Sequence, residues 1–522
     1  MSSHDYSSNE TISVPESLSS SEVSSNLEST TTSEVSNRRS VIITLFLIGS
    51  VLTCATNCFS SFSHAGLNEA VLEVDNFINE SYVQRGAQFS DGQVTLLRDV
   101  LMSSWYAGQV PGGLMSPIIT DRWGRKGAYL LATGMMTFAM ALQTTATAIH
   151  LPEMLLLGRL VASFFSPMSD AVAIMYLQEI SPTKLRGVLS SLFNGGYAVM
   201  ALLGIVLGMD GLLGNHITVL LSIPVVLGLL ALPFLLWLPE TPKFLMISSK
   251  NPEKALKSLE FFQGKRLENG LILEQYLREA ESEPTNKDGG TMTDLFKVWY
   301  LRKALILSFG VLVLTLPFFA ILQSSTHFFL FIELPKDFAQ LSSTLLMVAF
   351  VFSSFIASGL IKRFGRRSLI LTFGILSILC LGVFVGAAAF IHKISWSKYI
   401  ALAGMTGYIL CYGLAIGPIS WFIPAELVPL KYRASMICVC QSLNSISIAI
   451  TGFSTIPLFN VIGAYTFVAL FIIPSSVAIF CLFFSLPETK GREIHEIVAI
   501  LKSTQIKQGE STSIPQKSFD DF

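Results

Sequence analysis

Trp421 lies within Gly417-Pro418-Ile419-Ser420-Trp421-Phe422-Ile423-Pro424-Ala425-Glu426, where one glycine and two prolines interrupt an apolar run. The spacing predicts an unwound segment whose carbonyl and N–H groups lose their helical partners. Lipid cannot satisfy them, so the segment must be buried in protein or line a water-filled cavity. Discontinuous helices near the midplane are where transporters hold their solutes, and Trp421 stands where it would cap a small polar one. A proline-kinked packing helix is the structural alternative. His64, Asp170 and His327 also lie in or at the ends of apolar runs. An ionisable group at membrane depth must face water or a partner. Pairing of Asp170 with His64 or His327 would give a polar anchor or a proton-sensitive element, since histidine titrates near physiological pH. The plainer alternative puts Asp170 in a wet cavity and His64 at a helix end. Arg159 needs a partner as well, for packing or for transport.

Long helices must position these residues. The chain has 522 residues, of which 51% are hydrophobic and 14% charged; a soluble chain carries about a quarter charged. The net charge of −1 supports no nucleic-acid partner. All seven cysteines fall inside apolar runs without metal-ligand spacing, so they read as small packed hydrophobes, and neither metal nor cofactor is expected. Apolar runs recur at 41–63, 98–120, 127–148, 152–178, 187–209, 217–238, 303–332, 339–361, 368–392, 399–425, 434–457 and 464–486. Each supplies the ~20 residues a spanning helix needs. The expected architecture is an all-α membrane protein. It comprises a disordered tail over 1–38, a six-helix bundle over 39–238, a cytoplasmic linker with short helices over 239–302, a second bundle over 303–486 and a polar tail over 487–522.

Lysine and arginine gather in alternate loops, and the positive-inside rule then places both termini in the cytosol. The long loop 64–97 on the other side carries Asn79-Glu80-Ser81, an acceptor for N-glycosylation. The two blocks repeat. Asp121-Arg122-Trp123-Gly124-Arg125-Lys126 matches Lys362-Arg363-Phe364-Gly365-Arg366-Arg367. Glu179 to Gly187, with Arg186, matches Glu426 to Ala434, with Arg433; Pro239-Glu240-Thr241 matches Pro487-Glu488-Thr489. Paired motifs at matching places mark duplicated halves. The glycine between basic residues permits a tight turn, and arginine forks match carboxylates. Arg122, Arg125, Arg366 and Arg367 are expected to reach Glu179, Glu240, Glu426 and Glu488 across the interface between halves, as a cytoplasmic gate. Each wet pair contributes about 0–1 kcal/mol, but a network shifts populations between conformers.

These motifs, with Gly158-Arg159-Leu160, Pro239 to Leu245 and Gly417 to Trp421, resemble those of the facilitative glucose transporters, sugar porters of the major facilitator superfamily. The likeness covers residues 40–498. It implies twelve transmembrane helices in two pseudo-symmetric six-helix bundles, uniport by alternating access, and a short helical domain between the bundles. It also implies a sugar held by Asn194, Gln323 and Asn444 beneath Trp421, a cavity lined near His64, Asp170 and His327, and a glycan at Asn79. The departures bear on the solute. The family's Gln-Gln-Leu-Ser-Gly-Ile-Asn run in the seventh span is Leu322-Gln323-Ser324-Ser325-Thr326-His327-Phe328 here. The eighth-span asparagine is replaced by Phe350, the tenth-span glutamate by Gly413, and the tryptophan after Asn444 by Ser445. The acid that proton-coupled sugar porters carry in the first span is absent, with Ser63 near its place, which favours uniport.

The expected function is facilitative transport of a hexose such as glucose or fructose, through the plasma membrane. The lost amides and gained ionisable groups motivate a second reading, a carrier for a polyol, organic anion or organic cation with pH sensitivity. A non-transporting substrate sensor is a third. No nucleophile–base arrangement, phosphate-cradling loop or metal cluster supports an enzyme.

Overall fold

The computed structural model describes residues 20–87, 89–182, 185–265, 269–282, 293–394, 396–490, 492 and 496–502. The side chain of Arg186 lies outside the described residues, as do most of the expected tails. Helices dominate because apolar runs of this length must satisfy their own backbone. Nine described helices are long and apolar enough to cross a membrane. Leu192–Gly208 adds a shorter apolar stretch, the described part of a fifth span that runs Arg186–Gly208. The helix Asp91–Ala148 is two antiparallel arms, the second and third spans, folded at Gly124 (φ 82°). Together these make the twelve spans of the major facilitator fold. We call the end at which the first span begins and the twelfth ends the near end, and the opposite end the far end.

The first span, Arg39–Glu69, continues a helix that reaches back to Ser20, into the stretch whose composition shows no apolar period. After it, Val71–Val83 forms a separate far-end helix that carries Asn79 on its exposed face. The fourth span is Pro152–Ile180, the sixth Ile217–Trp237, the seventh Trp299–Phe331 and the eighth Lys336–Arg363. The ninth is Arg366–Ala389, the tenth Ser397–Glu426, the eleventh Leu430–Ile462 and the twelfth Val468–Ser485.

Glycines set how closely the spans approach. A Cβ at Gly158 would come within 3.0 Å of Ala139 O, and one at Gly404 within 2.8 Å of Cys380 O. Such contacts replace the hydrophobic drive that helices lose in lipid. Between the bundles, Pro242–Ile247, Pro252–Gln263, Asn269–Ser282 and Asp294–Lys297 form short helices. Gln263 Nε2 donates to Ile180 O at 3.2 Å, and Ser258 Oγ donates to Glu240 O at 2.5 Å. The first bond fastens the linker to the fourth span, and the second folds it back onto the turn that leaves the sixth.

Candidate functional site

The tenth span does not unwind at Gly417-Pro418. Ser397–Cys411 passes into a wide turn over Tyr412–Ile416, and Gly417–Glu426 resumes the α-helix. Gly417 N donates to Tyr412 O, five residues back. Pro418 has no N–H to lose and sits in the first turn of the new segment, so one surplus residue absorbs the defect. The break expected here is found in the seventh span instead. Trp299–Val313 ends, Leu314 and Thr315 form turns onto Val311 O and Leu312 O, and Leu316–Phe331 restarts with Pro317 in its first turn. A second irregularity follows at Ser324 (φ −146°), directly after Gln323.

Gln323 is buried, and its Oε1 has no hydrogen-bond partner; the same holds for Asn444 Oδ1 in the eleventh span and for Ser103 Oγ in the second. Gln323 Oε1 and Ser103 Oγ both flank Gly452, where a Cβ would lie 3.0 and 3.7 Å from them. Polar atoms from three spans of both halves are thus without partners. Asn194 is half-buried in the fifth span, and Trp421 is exposed. Where the family's amide and acid are missing, aromatic packing has taken over. Phe318 stacks on Tyr412 with centroids 3.9 Å apart, and Phe350 packs 5.0 Å from Phe318. A Cβ on Gly413 would overlap Ser353 Oγ and lie 3.2 Å from Phe350. Phe350 and Gly413 are therefore one packing event rather than two losses.

The expected pairing of Asp170 with a histidine is not what forms. His64 Nδ1 lies 3.1 Å from Arg159 Nη2, its Nε2 lies 3.4 Å from Tyr106 OH, and Arg159 Nε donates to Leu101 O at 3.0 Å. Arg159 also lies over the Trp105 ring, 5.7 Å from its centroid. Depth explains the partner. His64 precedes the far end of its span by five residues, and Arg159 follows the far end of its own by seven. Asp170 lies roughly 27 Å along the fourth span from that end, at 1.5 Å per residue. It neighbours Ser166, Tyr129 and Tyr197 instead. Thr56 Oγ1 and Tyr129 OH lie 2.5 Å apart, and Tyr129 OH donates to Leu52 O at 2.9 Å, so a hydroxyl-rich patch surrounds this acid. His327 lines a far-end cavity with Gln323, Arg98 and Asp99. Sequence reasoning passed over the last two, although adjacent charges opening an apolar run were the signal.

The model of the Sugar (and other) transporter family matches residues 49–501. The chain belongs to that family. Facilitated glucose transporter member 1 of Gallus gallus is 26% identical over 457 residues, covering 85% of this chain and 91% of that one. Member 5 of Homo sapiens is 27% identical, covering 87% and 92%. Among solved structures, the proton:xylose symporter XylE bound to 6-bromo-6-deoxy-D-glucose aligns with TM-score 0.71 at 18% identity, covering 89% of this chain and 100% of that one. The inward-open conformation of XylE from E. coli aligns with TM-score 0.69 at 16% identity, covering 87% and 99%. This sugar transporter family member is a multi-pass membrane protein and not an enzyme.

The family's paired motifs build the same device twice at the near end. Glu240 accepts from Lys126 N at 2.9 and 3.1 Å and from Thr241 N at 2.9 Å. Glu488 accepts from Arg366 N at 2.8 Å, Arg367 N at 3.2 Å and Thr489 N at 3.0 Å. A Cβ at Gly124 or Gly365 would run into those same carboxylates. Burial raises the Glu240 carboxyl above its ordinary range, opposed by the N–H groups of Thr241 and Lys126. The ion pairs repeat too: Arg125 Nε to Glu179 at 3.0 Å, and Arg366 Nη2 to Glu426 at 3.8 Å. Each of these runs within its own half, so they staple a half together rather than latch the two across the interface as expected. The forks also close on backbone, with Arg367 Nη2 donating to Phe483 O at 2.6 Å and Arg433 Nε to Ala425 O at 3.1 Å. Arg122 is exposed.

The halves meet toward the far end and at mid-depth. Thr326 Oγ1 donates to Glu69 Oε2 at 3.0 Å, and Lys336 pairs with Asp210. Deeper, Ser445 Oγ donates to Gln109 Oε1 at 3.2 Å.

Proposed function

We propose that the protein is a facilitative carrier of a hexose such as glucose or fructose, working by alternating access. The observation that carries this reading is the set of buried polar atoms without partners, the amide oxygens Gln323 Oε1 and Asn444 Oδ1 and the hydroxyl of Ser103. An unmet buried acceptor costs about 1–3 kcal/mol, and a hydroxylated solute brings the donors. Its relatives are facilitated glucose transporters by name, and the broken seventh span supplies irregular backbone beside Gln323. Uniport fits a first span without the acid of proton-coupled porters, in which His64 lies against Arg159. The arginines and lysines gathered at the near end support a plasma-membrane reading with that end in the cytosol and Asn79 on the glycosylating side.

A second reading, a carrier for a less hydroxylated solute, draws on the wall of Phe318, Phe350 and Tyr412. Proteoliposome flux of labelled hexoses, pentoses, polyols and organic ions separates the two. Saturable hexose exchange without a proton gradient supports the first; flux confined to other solutes replaces it, and binding without flux makes the protein a sensor.

A further inference from the structure

Under the far end, the two halves close over a small cavity lined by Asn68, Arg98 and Asp99 from the first half and by Gln323, His327 and Ile456 from the second. Asp99 is 1% exposed, and neither of its carboxylate oxygens has a hydrogen-bond partner. Its nearest described cation is Arg98 Nε at 3.8 Å, and that guanidinium gives its short bond, 2.5 Å, to Asp75 Oδ2. One span away, Glu69 is 2% exposed and uses one oxygen on Thr326 while the other has no partner. Asn68 Nδ2 and Gln323 Oε1 are unpartnered as well.

The charges do not balance. Asp75 and Asp99 share the guanidinium of Arg98, while Glu69 has another acid, Asp210, rather than a cation as its charged neighbour among the described residues. From the other elements packed here, the seventh span brings His327, the eleventh brings the uncharged Ile456, and Lys336 is engaged by Asp210. Burying an unpaired carboxylate is costly enough that such a group takes up a proton or a counter-ion instead. The cost exists only while the mouth is shut. When the halves part at this end, water reaches both acids and the ionised forms become easy to hold.

We propose that Asp99, together with Glu69 at the end of the neighbouring first span, is a proton-binding site that fills as the far mouth closes, so that acid on that side favours the closed conformer. This inference rests on the alternating-access reading and adds a ligand to it. Neither the solute site nor the near-end motifs are required to titrate. By linkage, one proton taken up on closure changes the closed-to-open ratio by up to about tenfold per pH unit between the proton affinities of the two conformers.

The test is a distance measurement on the full-length chain in lipid nanodiscs, with spin labels at Leu212 and Leu341, exposed far-end positions on opposite halves. From about pH 8 to 5.5 the wild type should shift toward the short distance. Asp99→Asn, neutral at every pH, should sit at the short distance throughout, and Glu69→Gln should flatten the profile in part. A pH profile in Asp99→Asn equal to wild type overturns the proposal, as does a flat wild-type profile. A shift driven by exchanging sodium for choline at fixed pH also overturns it, assigning the cavity to a metal cation. Because the readout is a distance, a chain that closes with pH yet carries no hexose would refute the carrier reading and leave this one standing.

Discussion

Arg159 is fully buried and directs Nε to Leu101 O and Nη2 to His64 Nδ1, with Trp105 beneath it and Nη1 without a partner. A lysine has a point charge and no fork, so it cannot hold both contacts from one position. Arg159→Lys is expected to lower stability by about 1–3 kcal/mol, read as an earlier unfolding midpoint in detergent; an unchanged midpoint would remove Arg159 from its structural role. At the solute site, Gln323→Leu and Asn444→Leu should each weaken hexose exchange by about threefold to tenfold, the equivalent of one hydrogen bond of ~0.5–1.5 kcal/mol. Rising half-saturation with unchanged maximal flux is the expected signature, and equal half-saturation in both variants would take these amides out of the binding site. Residue-scale reading of the sequence found His64, Asp170 and His327 as the groups needing explanation, but paired them wrongly. Counting residues from each span end places His64 level with Arg159 and far from Asp170, and that count was available without coordinates.

The paired turns were legible because a glycine, two basic residues and a distant Pro-Glu-Thr recur at matching places. What the letters could not carry is direction: the acids accept from backbone N–H groups of their own half, a choice made by turn geometry. Gly124→Ala should cost about 1–3 kcal/mol, since φ there is 82° and Glu240 fills the Cβ position. Gly365→Ala, at an ordinary φ of −71°, should be destabilised only through displacement of Glu488. Thermal melts of both, beside Glu240→Gln and Glu488→Gln, check the assignment; if each glycine variant melts like wild type, the carboxylates do not need the space. Gly413→Ala should likewise destabilise, and Ser353→Gly should recover part of the loss in the double variant, because the two side chains contend for one volume. Additive losses would separate the two positions. The broken seventh span was missed in favour of the tenth because proline was counted and its neighbours were not. Pro418 sits where the preceding wide turn absorbs it, whereas Pro317 begins a new segment after two turn residues.

At the scale of the whole molecule, twelve spans and two halves follow from hydropathy and repeats, while the conformer depends on contacts no repeat encodes. Lys336 and Asp210 belong to different halves and meet at the far end. As a half-exposed pair they contribute about 0–1 kcal/mol, enough to change a closed-to-open ratio by up to about fivefold. Lys336→Glu should populate far-open molecules, and Asp210→Lys on that background should bring the closed form back; labels at the far end that report no recovery would detach this pair from closure. The wide turn at Tyr412–Ile416 has a different reach. It stores one residue more than a regular helix allows. Were that residue released, the segment beyond would swivel by about 100° and slide by about 1.5 Å. The indole of Trp421 would then sweep from one neighbouring helix to the next, without any movement of the far end.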